Sequence, residues 1–334
     1  MKETLTATRP SLGFAGVGWI GKNRLQDLSS RDLATVGAIA DPDTLLAKEA
    51  KAYAPEAKLY EDYQSLLKTD VAGVVIASPS ALHAEQALQA LQAGKAVFCQ
   101  KPLGRTAAET RQVVETARER NLLLGVDLSY RYTEAVQQLR QLIASGELGE
   151  IYAVDLTFHN AYGPDKPWYY DFGRSGGGCV MDLGIHLADL ALWLLKPGEI
   201  SHVQSDLFCK GQRLETCENT VEDYATAQFR LNSHTTVRLN CSWNLPAGQD
   251  AVIGARFYGT KGGAAFRNLN GSFYDFVAEH YQGTQSTRLS NPPDDWGVRA
   301  LENWVAKLSD REGFNPEAAS YMQTAELLDQ IYGR

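Results

Sequence analysis

The pattern of apolar and polar positions along this chain changes once, near residue 150. Before that point, short runs that are apolar on both faces alternate with helical patterns. SLGFAGVG (11–18) reads as a strand ending in glycines, and WIGKNRLQDL (19–28) continues as a helix. ATVGAIAD (34–41), VAGVVIAS (71–78), AVFCQ (96–100) and LLLGVDLS (122–129) repeat the strand pattern. Between them stand the helical stretches TLLAKEAKAYA, ALHAEQALQALQAG and TAAETRQVVETARERN. Strands without a polar face, separated by helices, predict a parallel sheet covered on both sides.

After one more helix, TEAVQQLRQLIASG (133–146), the period becomes two. IYAVDLTFHN, DYATAQFRL, TTVRLNCSWN and AVIGARFYGT are longer, alternating strands. In TTVRLNCSW, Val237, Leu239, Cys241 and Trp243 share one face, and Thr236, Arg238, Asn240 and Ser242 share the other. This predicts a mainly antiparallel sheet with one covered face and one open, polar face. Two further helices are expected, around 294–309 and 316–332. The second has Asn315 as N-cap and Pro316 at its first position.

One helical stretch is different. GGGCVMDLGIHLADLALWLL (176–195) is apolar almost all the way round, so it belongs in a core. Yet Asp182, His186 and Asp189 stand at i, i+4 and i+7, on one face. Burying ionisable groups is costly unless they are paired or used. A His one turn from a carboxylate suits proton transfer near neutral pH. The same spacing also suits a satisfied buried network. No fourth ligand is in view, so no metal is expected.

The first strand–helix junction holds GVGWIG (16–21), a full G-x-G-x-x-G with a strand before it and a helix after it. Gly16 permits the tight turn, Gly18 lets backbone N–H groups approach a pyrophosphate, and Gly21 lets the helix pack on the strand. Asp41 follows Gly21 by ~20 residues, where an acid binds ribose hydroxyls. A 2′-phosphate beside Asp41 would be repelled, and Pro42 and Asp43 bring no Arg to welcome one. NAD is therefore expected over NADP. The fold class is α/β. A Rossmann doubly wound parallel sheet spans 9–130, and a C-terminal α/β domain with an open, mainly antiparallel sheet spans 131–334. The last helix, 316–332, can pack back on the first domain.

Composition narrows the setting. At 334 residues the chain exceeds what one core supports, consistent with two domains. It is 44% hydrophobic and 22% charged with net charge −8, and it has no basic run. That argues against nucleic-acid and anionic-membrane partners. MKETLTATRPSL has no apolar signal-peptide core, and no 18-residue apolar run exists. The residues before Ser11 are expected to be loose. Cys99, Cys179, Cys209, Cys217 and Cys241 form no C-x-x-C pair and read as reduced thiols of a cytoplasmic protein.

Gln100, Lys101 and Pro102 end the strand AVFCQ, where ligands of doubly wound folds bind. Position alone also allows an ordinary surface lysine. The segment AYGPDKPWYYDFGRSGGG gathers Tyr162, Trp168, Tyr169, Tyr170 and Phe172 with Asp165, Lys166, Asp171 and Arg174. Such a set suits a polyhydroxylated ligand, through Trp168 and Arg174 above all, and equally suits a core plug or subunit contact.

Together GVGWIG, SPSALH (78–83), QKP (100–102), YRY (130–132) and GGGCVMDLGIHLAD (176–189) resemble the glucose–fructose oxidoreductase, inositol dehydrogenase and MocA family over nearly the whole chain. The resemblance implies NAD- or NADP-dependent redox chemistry on a hydroxyl or carbonyl of a sugar, polyol or inositol. It implies catalytic roles for Lys101, Asp182 and His186. It places Trp19, Ile20, Ser78, Pro79, His83 and Gln100 at the cofactor and Tyr130 at the substrate. His83 could instead cap its own helix. The family's usual tripeptide is Glu-Lys-Pro, so Gln100 departs from it and removes a carboxylate near the cofactor. A homodimer or homotetramer through the open sheet is also implied. Two other activities share the fold, an NAD-assisted glycosidase and a non-catalytic NAD-binding regulator. The presence of Lys101, Asp182 and His186 together argues against the regulator.

Overall fold

The computed structural model describes residues 9–215, 220–232 and 234–334. The expectations for the extreme N-terminus and for Cys217 fall outside the described residues. Cys99, Cys179, Cys209 and Cys241 are free thiols.

The N-terminal half follows its apolar pattern. Its elements are β1 (Ser11–Ala15), α1 (Trp19–Ser30), β2 (Thr35–Ala40), α2 (Thr44–Lys51), β3 (Lys58–Tyr60), α3 (Tyr63–Leu67), β4 (Gly73–Ile76), α4 (Ser80–Gln92), β5 (Ala96–Cys99), α5 (Ala107–Glu119) and β6 (Leu124–Val126). The six strands pair in parallel in the order β3-β2-β1-β4-β5-β6. Every residue of β4 and β5 is buried, as a sheet covered on both faces requires. The order reverses between β1 and β4, which is where doubly wound sheets open a crevice at the strand ends.

The C-terminal half contains α6 (Glu134–Ala144), β7 (Ile151–Asn160), α7 (Phe172–Ser175), α8 (Ile185–Leu195), β8 (Ile200–Cys209), β9 (Gln212–Arg213), β10 (Tyr224–Leu231), β11 (Thr235–Ser242), β12 (Ala251–Gly259), β13 (Gly263–Asn268), β14 (Phe276–Gln282), β15 (Gln285–Arg288), α9 (Arg299–Ser309) and α10 (Ala319–Tyr332). Nine strands form one sheet, ordered β15-β14-β13-β12-β7-β11-β10-β8-β9. Only β7 and β11 pair in parallel. Val237, Leu239, Cys241 and Trp243 are all buried, as the alternation predicts. They join Val154, Leu156, Phe158, Ile253 and Phe257 in a core that includes most of α8. Cross-strand register puts Arg256, Asp155, Arg238 and Gln228 in one row on the opposite, open face. Arg238 donates to Asp155 at 2.7 Å within that row.

By contact the chain divides into two compact units. One comprises the residues up to Gly104, Ala108–Asp127 and Gly297–Met322; the other comprises Arg105–Ala107, Leu128–Trp296 and Gln323–Arg334. Residues 297–322 thus group with the N-terminal sheet. There Trp304 of α9 lies 5.8 Å from the Phe98 ring. It also covers Gly73 and Gly125, where a Cβ would come within 2.6 and 2.7 Å of its ring. The one described stretch long and apolar enough to cross a membrane is Phe172–Leu195, and it is mostly buried in the second unit.

Candidate active site

In the first unit the glycine loop leaves β1 in a conformation that few side chains could share. Gly16 has φ +86, and a Cβ there would stand 2.7 Å from the Ala77–Ser78 backbone. At Gly18 the opposite holds, since a Cβ would meet nothing within 4 Å. Gly18 begins α1 without a side-chain cap or an acid in the first turn. The first N–H groups of this 12-residue helix thus have no side-chain cap, a fit for a phosphate group. Trp19 is exposed and Ile20 half-buried on that first turn.

Asp41 is nearly buried, and its carboxylate ties the loop to the end of β2. Oδ2 accepts from the Val17 N–H and Oδ1 from the Asp43 N–H, both at 2.8 Å. Each oxygen keeps lone-pair capacity for a ribose hydroxyl. Ser78 donates to Gln86 Oε1 at 2.6 Å, and Pro79 stands at the N-cap of α4. Both ring nitrogens of His83 are engaged by backbone carbonyls, Nδ1 with Pro102 and Nε2 with Ser78, each at 2.7 Å. Burial pushes its pKa down, while the two carbonyls favour the charged ring. His83 thus ties the segment after β4 to the segment after β5.

Gln100 and Lys101 follow β5. Gln100 is nearly buried and donates from Nε2 to Asp127 Oδ2 at 2.5 Å. Asp127, just past β6, also accepts from Arg24 Nε of α1 at 2.8 Å. Lys101 is half-buried, and the Lys101–Pro102 peptide is cis.

The second unit holds the other expected residues. A π-helical turn, Val180–Gly184, precedes α8 and carries Asp182. Its wider turn sits between Asp182 and the regular helix that carries His186 and Asp189. Asp182 Oδ2 accepts from Trp243 Nε1 at 3.0 Å. The His186 ring stands edge-on to Tyr130, with centroids 4.9 Å apart at 71°. Tyr130 stacks on Trp296 at 5.2 Å within an aromatic cluster that includes Phe158, Phe266 and Phe276. Burial, and then the Asp182 charge, push the Tyr130 hydroxyl well above its ordinary pKa. Asp182, Tyr130 and His186 therefore form one group. Asp189 turns elsewhere and is 1% exposed. It is held by Arg131 through Nε at 2.7 Å and through a second, shorter contact from Nη2. It belongs to a structural ion pair.

The aromatic segment reaches the same group through Trp243. Tyr169 and Tyr170 lie edge-on to the Trp243 ring, and Trp168 stacks on Tyr169 at 3.8 Å. Arg174 is exposed on α7.

Three residues went unassigned to the site in the sequence reading. Trp243 looked like core, and nothing in its alternation shows that its N–H reaches Asp182. Glu222 and Tyr332 had no local signal. Glu222 is fully buried and accepts from the Gly178 N–H at 2.9 Å, the Val180 N–H at 2.8 Å and the Tyr332 hydroxyl at 2.8 Å. Tyr332 Oη accepts in turn from the Met181 N–H at 3.1 Å. These contacts clamp the start of the helix that presents Asp182. At Gly178 any Cβ would lie 1.9 Å from the Glu222 carbonyl oxygen, which accounts for a glycine there.

Comparison with known proteins fits these features. Residues 11–128 match a model described as an oxidoreductase family with an NAD-binding Rossmann fold, and 136–265 match the GFO/IDH/MocA C-terminal domain. The chain is 33% identical to 1,5-anhydro-D-fructose reductase of Ensifer adhaerens, over 71% of its own length and 70% of that enzyme's. It belongs to the GFO/IDH/MocA oxidoreductase family. Within this family it is 27% identical to D-glucoside 3-dehydrogenase of Escherichia coli over 79% of each chain. Its fold is that of a levoglucosan dehydrogenase solved with NADH and levoglucosan, with a TM-score of 0.82 at 21% identity over 98% of this chain and 97% of that one. It is also that of KijD10, a 3-ketoreductase from Actinomadura kijaniata solved with NADP, at TM-score 0.83, 22% identity and 98% coverage of both chains. The GFO/IDH/MocA assignment makes the chain an oxidoreductase with a Rossmann fold of the NAD-binding type.

Proposed function

We propose that the protein is an NAD-dependent dehydrogenase or reductase of a secondary hydroxyl or carbonyl on a sugar, polyol or inositol. The observation that carries this reading is the Asp182–Tyr130–His186 group, built on a buried and clamped helix. The glycine-loop unit holds the dinucleotide, with Gly16, Gly18 and Gly21 at the phosphates and Asp41 at the ribose. The nine-stranded unit holds the substrate.

Nicotinamide, when bound, supplies the hydride acceptor or donor. In the oxidative direction the substrate hydroxyl must lose its proton as its carbon loses hydride. His186 takes that proton. Asp182, fixed by Trp243, orients a substrate hydroxyl and stabilises the imidazolium. Lys101 stabilises the developing alkoxide by charge. In reduction the same groups act in reverse. Trp168, Tyr130 and Arg174 contribute contacts to the polyhydroxylated ring.

The relatives' names set the panel for the test: aldoses, anhydrosugars, glucosides and inositols with NAD, following absorbance of NADH. Net NADH from at least one free polyol is expected. Aglycone release without net NADH would replace the dehydrogenase with a glycosidase. NAD binding without turnover on any member of the panel would favour a regulator.

A further inference from the structure

Three buried polar side chains meet beside Lys101 within the first unit. Gln100 comes from the end of β5, Asp127 from the end of β6, and Arg24 from the middle of α1. All are less than 10% exposed. Gln100 Nε2 donates to Asp127 Oδ2, and Arg24 Nε donates to the same oxygen. A side-chain amide has one donating and one accepting end. With Arg24 and Gln100 both giving hydrogens to Asp127, the amide can have only one orientation. The oxygen of Gln100 must point away from the carboxylate. Asp127 in turn is anchored through its own N–H, which donates to the Cys99 carbonyl at 2.8 Å.

We propose that Asp127 is a positioning residue for the cofactor end of β5: it supplies the negative charge there, fixes the Gln100 amide beside Lys101, and requires position 100 to be neutral. This explains the departure of Gln100 from the Glu-Lys-Pro tripeptide. A glutamate at 100 would set a second carboxylate against the first in a buried place, where two such groups share one proton. In this chain the carboxylate is delivered from the neighbouring strand, and Arg24 balances it. Arg24 also stands on the helix whose first turn faces the phosphate site, so one network ties that helix to the residue preceding Lys101. The other ionisable groups near the cluster are Lys101, Cys99, whose thiol is pushed up by burial and by Asp127, and His83, held between two carbonyls.

This inference rests on the cofactor reading above, and one of its two tests does not need the cofactor. Gln100→Glu, Asp127→Asn and the exchange variant Gln100→Glu/Asp127→Asn are compared with wild type. Melting of the apo protein is followed from pH 5 to pH 8, and NAD affinity is titrated by fluorescence at pH 8. In Gln100→Glu the pair has one carboxyl whose folded pKa is raised. Stability is then full below the ordinary carboxylate range of about 4 and is lost as pH rises through the raised value. Its melting temperature should fall with pH relative to wild type, and its NAD affinity at pH 8 should drop about tenfold, the equivalent of one pKa unit of coupling. The exchange variant keeps one carboxylate, one amide and Arg24. It should lose the extra pH dependence and recover most of the affinity. Asp127→Asn alone should weaken NAD binding without adding a pH dependence. A Gln100→Glu variant that follows wild type at every pH would overturn the proposal, as would an exchange variant no better than Gln100→Glu. If wild type binds no NAD, the cofactor reading fails, and the melting curves still decide whether the pair behaves as described.

Discussion

At the scale of single residues, each proposed role predicts a different loss. His186 and Lys101 are assigned to the reacting oxygen and the glycine loop to the dinucleotide. His186→Asn should therefore lower kcat by roughly 10²–10⁴-fold, and Lys101→Ala by roughly 10²–10³-fold. NAD affinity, measured by fluorescence titration, should stay nearly unchanged in both. The double variant should be less than additive, because both groups are proposed to act on one oxygen. Wild-type turnover in either single variant would remove that residue from the mechanism. Asp41 makes a separate prediction. Its carboxylate is fixed by the Val17 and Asp43 N–H groups, so a 2′-phosphate would meet a charge that cannot swing away. NAD should bind more tightly than NADP, and Asp41→Ser with Pro42→Arg should shift the preference toward NADP. Titrating both cofactors into both proteins checks this. Gly16, Asp41, Asp182 and His186 could be singled out from spacing because each lies in a short motif. Trp243 and Glu222 could not, since their partners lie about 40 to 60 residues away in the chain and pairing at that distance leaves no local pattern.

At the scale of elements, the helix carrying Asp182 is held at two places. Its start is clamped by Glu222 and Tyr332, and its middle by the Arg131–Asp189 pair, with Thr324 3.4 Å from Asp189. Removing one member of a buried ion pair strands the other, which typically costs about 3–5 kcal/mol. Asp189→Ala should therefore lower stability in urea denaturation by about that much, whereas the double change Arg131→Met/Asp189→Leu should cost much less. Equal losses in the single and double variants would mean the pair is not what holds the helix. The sequence pattern was readable where burial was one-sided or complete, as in β4, β5, β7, β10, β11 and β12. It failed elsewhere for physical reasons. β8 contains His202 at φ 54 and a register shift against β10, which breaks the period of two. Phe276 to Glu279 of β14 are buried on both faces, so no alternation shows. β15 is an exposed polar edge, and β3 is three residues long. Asp189 leaves the stripe expected from Asp182 because Arg131 holds it, a partner 58 residues away that spacing alone does not announce.

At the scale of the whole molecule, the open face of the nine-stranded sheet is where an oligomer contact is predicted. Arg256, Asp155, Arg238 and Gln228 cross it in one row. Alternating charges on such a face suit a second copy related by a two-fold axis. Light scattering at micromolar concentration should give a dimer or tetramer, and Arg238→Glu with Arg256→Glu should shift it toward monomer. A wild-type monomer would rule the interface out. A second prediction concerns the chain's path. Trp304 covers Gly73, Phe98 and Gly125, and losing a buried Trp typically costs about 3–5 kcal/mol. A fragment of residues 9–130 should melt without cooperativity and bind the dye ANS. Joining 297–322 to it through a flexible linker should restore a cooperative transition, and a cooperative 9–130 fragment would contradict this. The same path has a consequence for synthesis. A ribosome releases residue 130 well before residue 304, an interval of roughly ten to thirty seconds at ordinary elongation rates. During that interval the nascent glycine-loop unit lacks part of its covering, while residues 128–296 emerge as an uninterrupted block. Each unit is thus closed by a late segment, the first by 297–322 and the second by 323–334, so neither is complete until translation is nearly over.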